Sequence, residues 1–94
     1  MAKNTWVKAN RYMERSVSCQ TNGIWEVEVY NQMNWNGLHL SVRFACESEH
    51  ASLCGQSMWG SVDNGKLTAG EDMYLVPGYV QAQARKMIRE IENS

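Results

Sequence analysis

Apolar and polar residues alternate along three stretches of the chain, which is the pattern of β-strands with one buried face. Two of these stretches flank the segment TNG, in SVSCQ-TNG-IWEVEVY, and the third is LHLSVRFA. A short connection that ends in glycine is typical of a β-hairpin, because glycine readily adopts the left-handed conformation that closes it. The pattern therefore predicts a three-stranded antiparallel meander, followed by a second hairpin in SMWGSV-DNG-KLT.

The loop also predicts the register of the first hairpin. With TNG as a three-residue loop, Cys19 lies opposite Trp25 and Val17 lies opposite Val27. Both pairs then share one face of the sheet, which we expect to be the buried one because it carries the apolar residues.

The third strand is predicted to have one dry and one wet face. Its inward residues are Leu38, Leu40, Val42 and Phe44, and its outward residues are His39, Ser41 and Arg43. On the wet face, Glu26 or Glu28 is expected beside Arg43. An exposed ion pair of this kind contributes only about 0.2–1 kcal/mol, so we interpret it as surface structure and not as an active site.

Both ends of the chain show helical features. The segment TWVKANRYME, capped by Asn4 or Thr5, predicts a short helix, although its weak alternation leaves a strand as an alternative. Near the other end, Pro77 and Gly78 introduce the clearest helix of the chain. The apolar stripe of that helix consists of Val80, Ala84, Met87, Ile88 and Ile91.

These elements predict an α+β fold of two layers, in which the C-terminal helix packs on a twisted antiparallel sheet. The chain has 94 residues, without internal repeats or a linker, so we expect a single domain over residues 1–94. Its composition, 44% hydrophobic and 20% charged, is that of a folded globular protein.

The charge and the cysteine content indicate which partners the protein is expected to bind and which cellular compartment it is expected to occupy. The net charge is −1, with nine basic and ten acidic residues, so the basic excess typical of nucleic-acid binders is missing. The N-terminus lacks the apolar core of a signal peptide, and no run reaches the length of a membrane span. Three cysteines fit a reducing compartment better than a disulfide framework. We therefore expect a soluble cytoplasmic protein without a membrane partner.

The stretch CESEHASLC, residues 46–54, most resembles a metal site. On a helix, Cys46, His50 and Cys54 would share one face, and Cys19 is the only other thiol that could complete a Cys₃His zinc site. The spacing lacks the close ligand pairs typical of zinc, and a free cysteine usually packs as a small apolar residue. We interpret the stretch as a surface helix and expect neither metal nor cofactor, with the Cys₃His site as the alternative.

Catalytic motifs are also lacking in the sequence. It contains no glycine-rich phosphate loop, no H-E-x-x-H helix and no deaminase pattern. Cys46 and His50 could lie one helical turn apart, but nothing supplies an oxyanion hole or a third catalytic member. The sequence therefore predicts a protein that is not an enzyme.

The segment NQMNWNG, residues 31–37, is predicted to connect the second and third strands. Its asparagines and Gly37 suit a turn, but a turn does not account for Met33 or Trp35. A tryptophan at such a tip either folds back on the core, which is the commoner outcome, or stands out as an anchor for a protein partner. Trp59 and Tyr79 invite the same two interpretations. The candidate protein-binding residues are Met33, Asn34, Trp35, Asn36, Trp59 and Tyr79.

The C-terminal segment LVPGYVQAQARKMIREIENS resembles in layout a group of small phage-encoded inhibitors of host defence, the anti-CRISPR proteins. One such inhibitor pairs a twisted antiparallel sheet with a C-terminal helix introduced by a proline-glycine. The resemblance is confined to this segment, and CESEHASLC and the second hairpin depart from it, so no binding residue carries over. It implies a non-enzymatic module that blocks a host defence protein or complex by occluding its surface, inside a bacterial cell. A homodimer stays open as an alternative.

A second functional hypothesis is a nucleic-acid-binding domain that resembles the double-stranded-RNA-binding fold, which runs helix, three strands, helix. The coarse order of elements and the basic residues Arg85, Lys86 and Arg89 favour it. The net charge and the lack of a lysine cluster at the start of the final helix speak against it. We therefore do not expect a nucleic acid as the main partner.

Overall fold

The computed structural model describes residues 4–35, 37–46, 57–70 and 73–94. Within them, six strands form one antiparallel sheet in the order of the sequence. The strands are β1 (Val7–Lys8), β2 (Ser16–Thr21), β3 (Trp25–Asn34), β4 (Gly37–Cys46), β5 (Ser57–Asp63) and β6 (Lys66–Ala69). A 3-10 turn (Met73–Leu75) leads into the helix α1 (Gly78–Glu92). The predicted α+β fold is confirmed, with both hairpins joined in one sheet.

The helix covers one face of the sheet, which we call the helix face. It begins at Gly78 directly after Pro77, as the sequence predicts, because proline suits the start of a helix and cannot continue one. Its buried residues are Val80, Ala84, Met87 and Ile88. They pack on the inward residues of the central strands, where Val27 pairs with Phe44. Between them the two layers enclose the hydrophobic core.

The second hairpin forms as predicted, although its loop is shorter. Asp63 pairs with Lys66, so Asn64 and Gly65 make a two-residue turn, and both have positive φ angles, 52° and 78°. This conformation matches the right-handed twist of the flanking strands and favours Asn-Gly.

The register of the first hairpin differs from the prediction. Cys19 pairs with Glu28 and not with Trp25, and Val17 lies at a β-bulge where it is exposed and not opposite Val27. Because side chains alternate between the two faces, Cys19 lies on the face opposite to Trp25. The predicted pairs were therefore wrong, although Cys19 is buried.

The side chain of Asn22 explains the shift in register. Its Oδ1 accepts hydrogen bonds from the N–H groups of Ile24 at 2.9 Å and Trp25 at 2.7 Å, and Asn22 N–H donates to the Trp25 carbonyl at 3.1 Å. Asparagine commonly closes a turn in this way. The loop therefore starts after Asn22 and not at Thr21, with Gly23 in the left-handed region at φ 91°.

The N-terminal segment is not the predicted helix. After the short strand β1, residues 9–15 cross the face of the sheet opposite to α1; we call this segment the strap and that face the strap face. The strap is tied down at both ends, since Ala9 N–H donates to the Cys19 carbonyl and Asn31 N–H donates to the Arg15 carbonyl, both at 2.9 Å. The predicted wet face is therefore partly covered. The described residues before β2 contain no helix, so the element order of the double-stranded-RNA-binding fold is missing.

Residues 31–37 do not form the predicted loop, because the strands continue through most of them. Met33 pairs with Leu38 and Asn34 with Gly37, so that positions 35 and 36 alone connect β3 to β4. Pairing with β2 ends at Tyr30 and pairing with β5 ends at Ser41. Residues 31–40 therefore form a two-stranded ribbon beyond the body of the sheet, which we call the arm.

Candidate functional site

The tip of the arm exposes an apolar group of three side chains. Trp35 is 96% exposed, and Met33 and Leu38, which pair across the strands, are 55% and 57% exposed. Folding back on the core was the commoner of the two expected outcomes, but Trp35 instead extends into solvent. Leu38 was predicted to point inward, but the arm extends past the hydrophobic core and leaves it uncovered.

Side-chain hydrogen bonds link the two strands of the arm on its other side. The Asn34 amide and the Nδ1 of His39 lie 3.2 Å apart, and the Ser41 hydroxyl donates to Gln32 Oε1 at 2.9 Å. These cross-strand contacts and four backbone pairs fix the ribbon before any partner arrives. The arm is thus polar on one side and apolar on the other.

A groove of about 650 Å³ opens on the strap face at the root of the arm. Three of its described lining residues are buried: Gly60, together with Tyr30 and Ser41, which are 7% and 2% exposed. The strap lines one part of it through Met13, and the second hairpin lines another. The described residues that line it are Met13, Glu14, Arg15, Tyr30, Asn31, Gln32, Met33, Ser41, Trp59, Gly60, Ser61, Thr68 and Gly70. Its volume lies within the range of about 300–1,000 Å³ typical of ligand sites.

Trp59 places an aromatic surface in this groove. Its ring is nearly perpendicular to that of Tyr30, at 82° with a centroid distance of 6.1 Å, and it remains 42% exposed. This edge-to-face arrangement is a favoured one for aromatic pairs. Trp59 is therefore held in place while part of it faces solvent.

The structure separates the six predicted binding residues. Met33, Asn34 and Trp35 lie on the arm, and Met33 also lines the groove with Trp59. Tyr79 lies on the helix face, half-buried against the core. Asn36 falls outside the described residues. The groove residues Tyr30 and Ser41 were missed, because nothing in the sequence shows where the strap ends and the sheet face opens.

Next to the groove, the strap covers a buried ionic network. Arg43 Nε lies 3.0 Å from Glu28 Oε1, and Arg43 Nη2 contacts Glu26 Oε1. The pairing of these residues was predicted, but not its burial: Glu28 is fully buried and Arg43 is 4% exposed. Interpreting the pair as exposed surface structure was therefore wrong, because the strap replaces solvent on this face.

Glu28 binds the strap directly. Its Oε2 accepts hydrogen bonds from the N–H groups of Tyr12 at 3.0 Å and Met13 at 3.1 Å, and the Tyr12 ring lies 4.6 Å from Arg43 Cζ. Both oxygen atoms of the Glu28 carboxylate are therefore engaged, one by Arg43 and the other by the strap. These contacts also position Met13, which lines the groove.

The surroundings of Glu28 shift its pKa. Burial by itself raises the pKa of Glu28, since a charged carboxylate is poorly solvated there. Four neighbouring groups favour the charged form and hold its pKa below the usual 4.5: the Ser16 hydroxyl, the N–H groups of Met13 and Tyr12, and the Arg43 guanidinium. Glu28 is thus charged at neutral pH.

Cys19 completes the network as a protonated thiol. Burial, followed by the hydrogen bond to Glu26 at 3.3 Å, raises the pKa of Cys19 to about 12. The Cys19, Glu26 and Glu28 ligand atoms lie within 4.8 Å of one another. A cation there would have to displace Arg43, so we interpret the cluster as structural.

The predicted alternative of a Cys₃His zinc site does not fit the topology. Cys19 lies on the strap face, whereas Cys46 pairs with Trp25 and belongs to the core on the helix face. Two thiols on opposite faces of one sheet cannot share a metal ion. His50 and Cys54, the remaining ligands of that set, lie outside the described residues.

Comparison with known proteins gives no assignment. No protein-family model, curated protein or solved structure matches this chain. Among the described residues, no helix combines the length and the apolar character needed to cross a membrane. Any functional conclusion therefore rests on the arm, the groove and the network beneath the strap.

Proposed function

We propose that the protein is a non-enzymatic binding module that holds a protein partner through the tip of the arm. The observation that supports this most is Trp35, which is 96% exposed at the end of a ribbon whose turn needs no tryptophan. Large aromatic side chains are the residues that most often dominate the binding energy of protein interfaces. Met33 and Leu38 widen the apolar contact around it.

The rigidity of the arm also supports this proposal. Binding costs less free energy when the binding element is ordered beforehand, since fewer rotations are lost on association. Cross-strand backbone pairs and the Ser41–Gln32 hydrogen bond order the arm in the free protein. Backbone pairing up to Asn34 and Gly37 therefore fixes the end of the ribbon from which Trp35 projects.

The chemistry of Cys19 supports a non-enzymatic role. A catalytic cysteine acts as a thiolate, which requires a lowered pKa and a cationic neighbour or helix N-terminus. The pKa of Cys19 is instead raised to about 12, and its thiol donates to a carboxylate. Cys19 therefore stays protonated and unreactive at neutral pH.

The resemblance in layout between the C-terminal segment LVPGYVQAQARKMIREIENS and an anti-CRISPR protein makes bacterial defence complexes the first partners to test. On this proposal the protein acts in the cytoplasm of a bacterial host and evades defence by covering a surface of its target. The double-stranded-RNA alternative loses its main motivation, because the described N-terminal residues form a strand and the strap instead of a helix.

Trp35→Ala tests the proposed function. As a surface change, it should alter the free energy of unfolding by less than about 0.5 kcal/mol. It should weaken partner binding by about 2 kcal/mol or more, which is roughly thirtyfold in affinity. Urea unfolding measures the first quantity, and co-purification with tagged defence complexes followed by titration measures the second.

Tyr74→Ala is the matched control, since Tyr74 is also an exposed aromatic residue, 82% exposed. It lies in the 3-10 turn and belongs neither to the arm nor to the described lining of the groove. This variant should leave both stability and binding unchanged. Equal binding by wild type and Trp35→Ala would contradict the proposed function. A gel shift at low salt, where phosphate-driven binding appears first, tests the nucleic-acid alternative on the same samples.

A further inference from the structure

We propose that the arm also binds a second copy of this chain, in a two-fold dimer in which Trp35 of each copy enters the groove of the other. This inference rests on the proposed function, because the arm is the binding element in both. It adds a defined partner and assigns the groove a ligand, the indole ring of Trp35.

The position of the groove relative to the arm supports this arrangement. From Asn31 to Trp35 the arm measures about 14 Å, at about 3.4 Å per residue. When two identical arms lie side by side about a two-fold axis, the tip of each reaches the root of the other. The groove lies at that root, since Tyr30, Asn31 and Ser41 line it. Tip and groove therefore meet without any change in the fold.

The lining of the groove suits an indole ring. Trp59 offers a partly exposed ring beside Tyr30, and aromatic rings pack favourably edge to face or offset. The hydroxyl-bearing residues Ser61 and Thr68 line the same groove and are exposed, so they offer oxygen atoms for the indole N–H. The groove thus supplies both an apolar contact and a hydrogen-bond acceptor.

Charge also favours a second copy as the occupant. In a two-fold contact each surface meets its own copy, so a charged patch at the centre would repel itself. Residues 31–40 contain no Asp, Glu, Lys or Arg, although charged residues make up 20% of the whole chain. Among the described residues that line the groove, the charged ones are Glu14 and Arg15, which are of opposite sign. Two arms can therefore pack together without repulsion.

Sedimentation over a wide range of concentrations tests the dimer directly. The wild-type chain, of 10.7 kDa, should reach twice that mass as the concentration rises. Trp35→Ala should raise the dissociation constant by about thirtyfold or more, whereas Tyr74→Ala should behave as wild type. A wild-type protein that remains a monomer throughout, or a Trp35→Ala variant that dimerises as wild type does, would overturn the proposal.

A mixing experiment tests the reciprocal geometry. Ser61→Arg places a long charged side chain in the groove at an exposed position and should also prevent dimerisation. The two variants are compared at a concentration at which each one alone is a monomer. A mixture of Trp35→Ala with Ser61→Arg should form heterodimers, because one intact Trp35 then meets one intact groove. Failure of the mixture to associate would show that Trp35 does not bind in the groove, provided that circular dichroism shows both variants folded.

The same variants separate this inference from the proposed function. Ser61→Arg keeps Trp35 intact, so it should lose the dimer but retain a heterologous partner. If the wild type is monomeric and Trp35→Ala still loses a heterologous partner, the dimer is wrong and the proposed function stands. If Trp35→Ala loses the dimer but retains every heterologous partner, the dimer stands and the proposed function is wrong.

Discussion

Glu28 is a fully buried carboxylate in a sheet of a small domain, so its charge needs compensation. Burying an isolated charge costs several kcal/mol, which attraction to one partner offsets only if the remaining oxygen atoms also find donors. Arg43 neutralises Oε1, and the strap supplies two N–H groups to Oε2. Single side chains on two strands thus determine where the strap lies.

Arg43→Met should destabilise the protein strongly. It leaves Glu26 and Glu28 beside each other without a cation, and breaking a buried ion pair in this way costs about 3–5 kcal/mol. Urea unfolding followed by circular dichroism measures the loss. Arg89→Met, at an exposed position of the helix, is the control and should change stability by less than about 0.5 kcal/mol. Similar midpoints for the two variants would show that the network is unimportant.

At the scale of secondary structure, turns decide which residues share a face of the sheet. In the first hairpin, the side chain of Asn22 delays the start of the loop by two residues, and in the resulting register Cys19 faces the strap. In the arm, Gly37 follows the tip with φ +107°, which allows both strands to continue up to positions 34 and 37. One residue in a turn can therefore redirect a whole strand.

Gly23→Ala should destabilise the first hairpin. Gly23 has φ 91°, a conformation that residues with a Cβ atom adopt only with strain, so we expect a loss of about 1 kcal/mol. Gly78→Ala is the matched control: Gly78 begins α1, and an added Cβ there meets no atom within 4 Å. It should leave stability unchanged or raise it slightly. Thermal melts of both variants decide, and an unaffected Gly23→Ala would contradict the turn geometry.

At the scale of the whole molecule, the sheet is covered on both faces by different means. The helix buries apolar residues on one side, and the strap buries charged ones on the other. The stabilisation from the strap side therefore depends on the protonation state of Glu28, whereas that from the helix side comes from apolar packing. The arm extends from both layers and carries the exposed tryptophan.

The protein should lose stability in acid through Glu28. Its pKa is lower in the folded protein than the usual 4.5, so the folded state binds the proton less readily than the unfolded state does. The resulting stabilisation is complete above pH 4.5 and is lost as the pH falls through the lowered pKa. Glu28→Gln should be less stable at neutral pH and should depend less steeply on pH in acid. Urea midpoints measured across the acid range would reveal identical slopes if Glu28 played no part.

The sequence by itself determined the elements whose signals are local. Pro77 and the apolar stripe located α1, the two glycine-containing turns located both hairpins, and the mismatch between Trp35 and the needs of a turn singled out the arm tip. Each of these signals depends on residues within one helix or one hairpin. These elements could be predicted because turn conformation and side-chain periodicity are determined by residues that are close together in the sequence.

Only the tertiary structure decided which segment of the chain covers each face of the sheet. Alternation shows that Glu26, Glu28 and Arg43 share a face, but not that a segment from the N-terminus covers it. In the same way, Leu38 has the pattern of an inward residue, yet the arm carries it past the core. The groove likewise depends on tertiary structure. Its walls come from the strap and the second hairpin, which are distant in the sequence and meet only in the folded chain. A local pattern shows which side chains share a face, but whether that face is covered depends on the assembled layers.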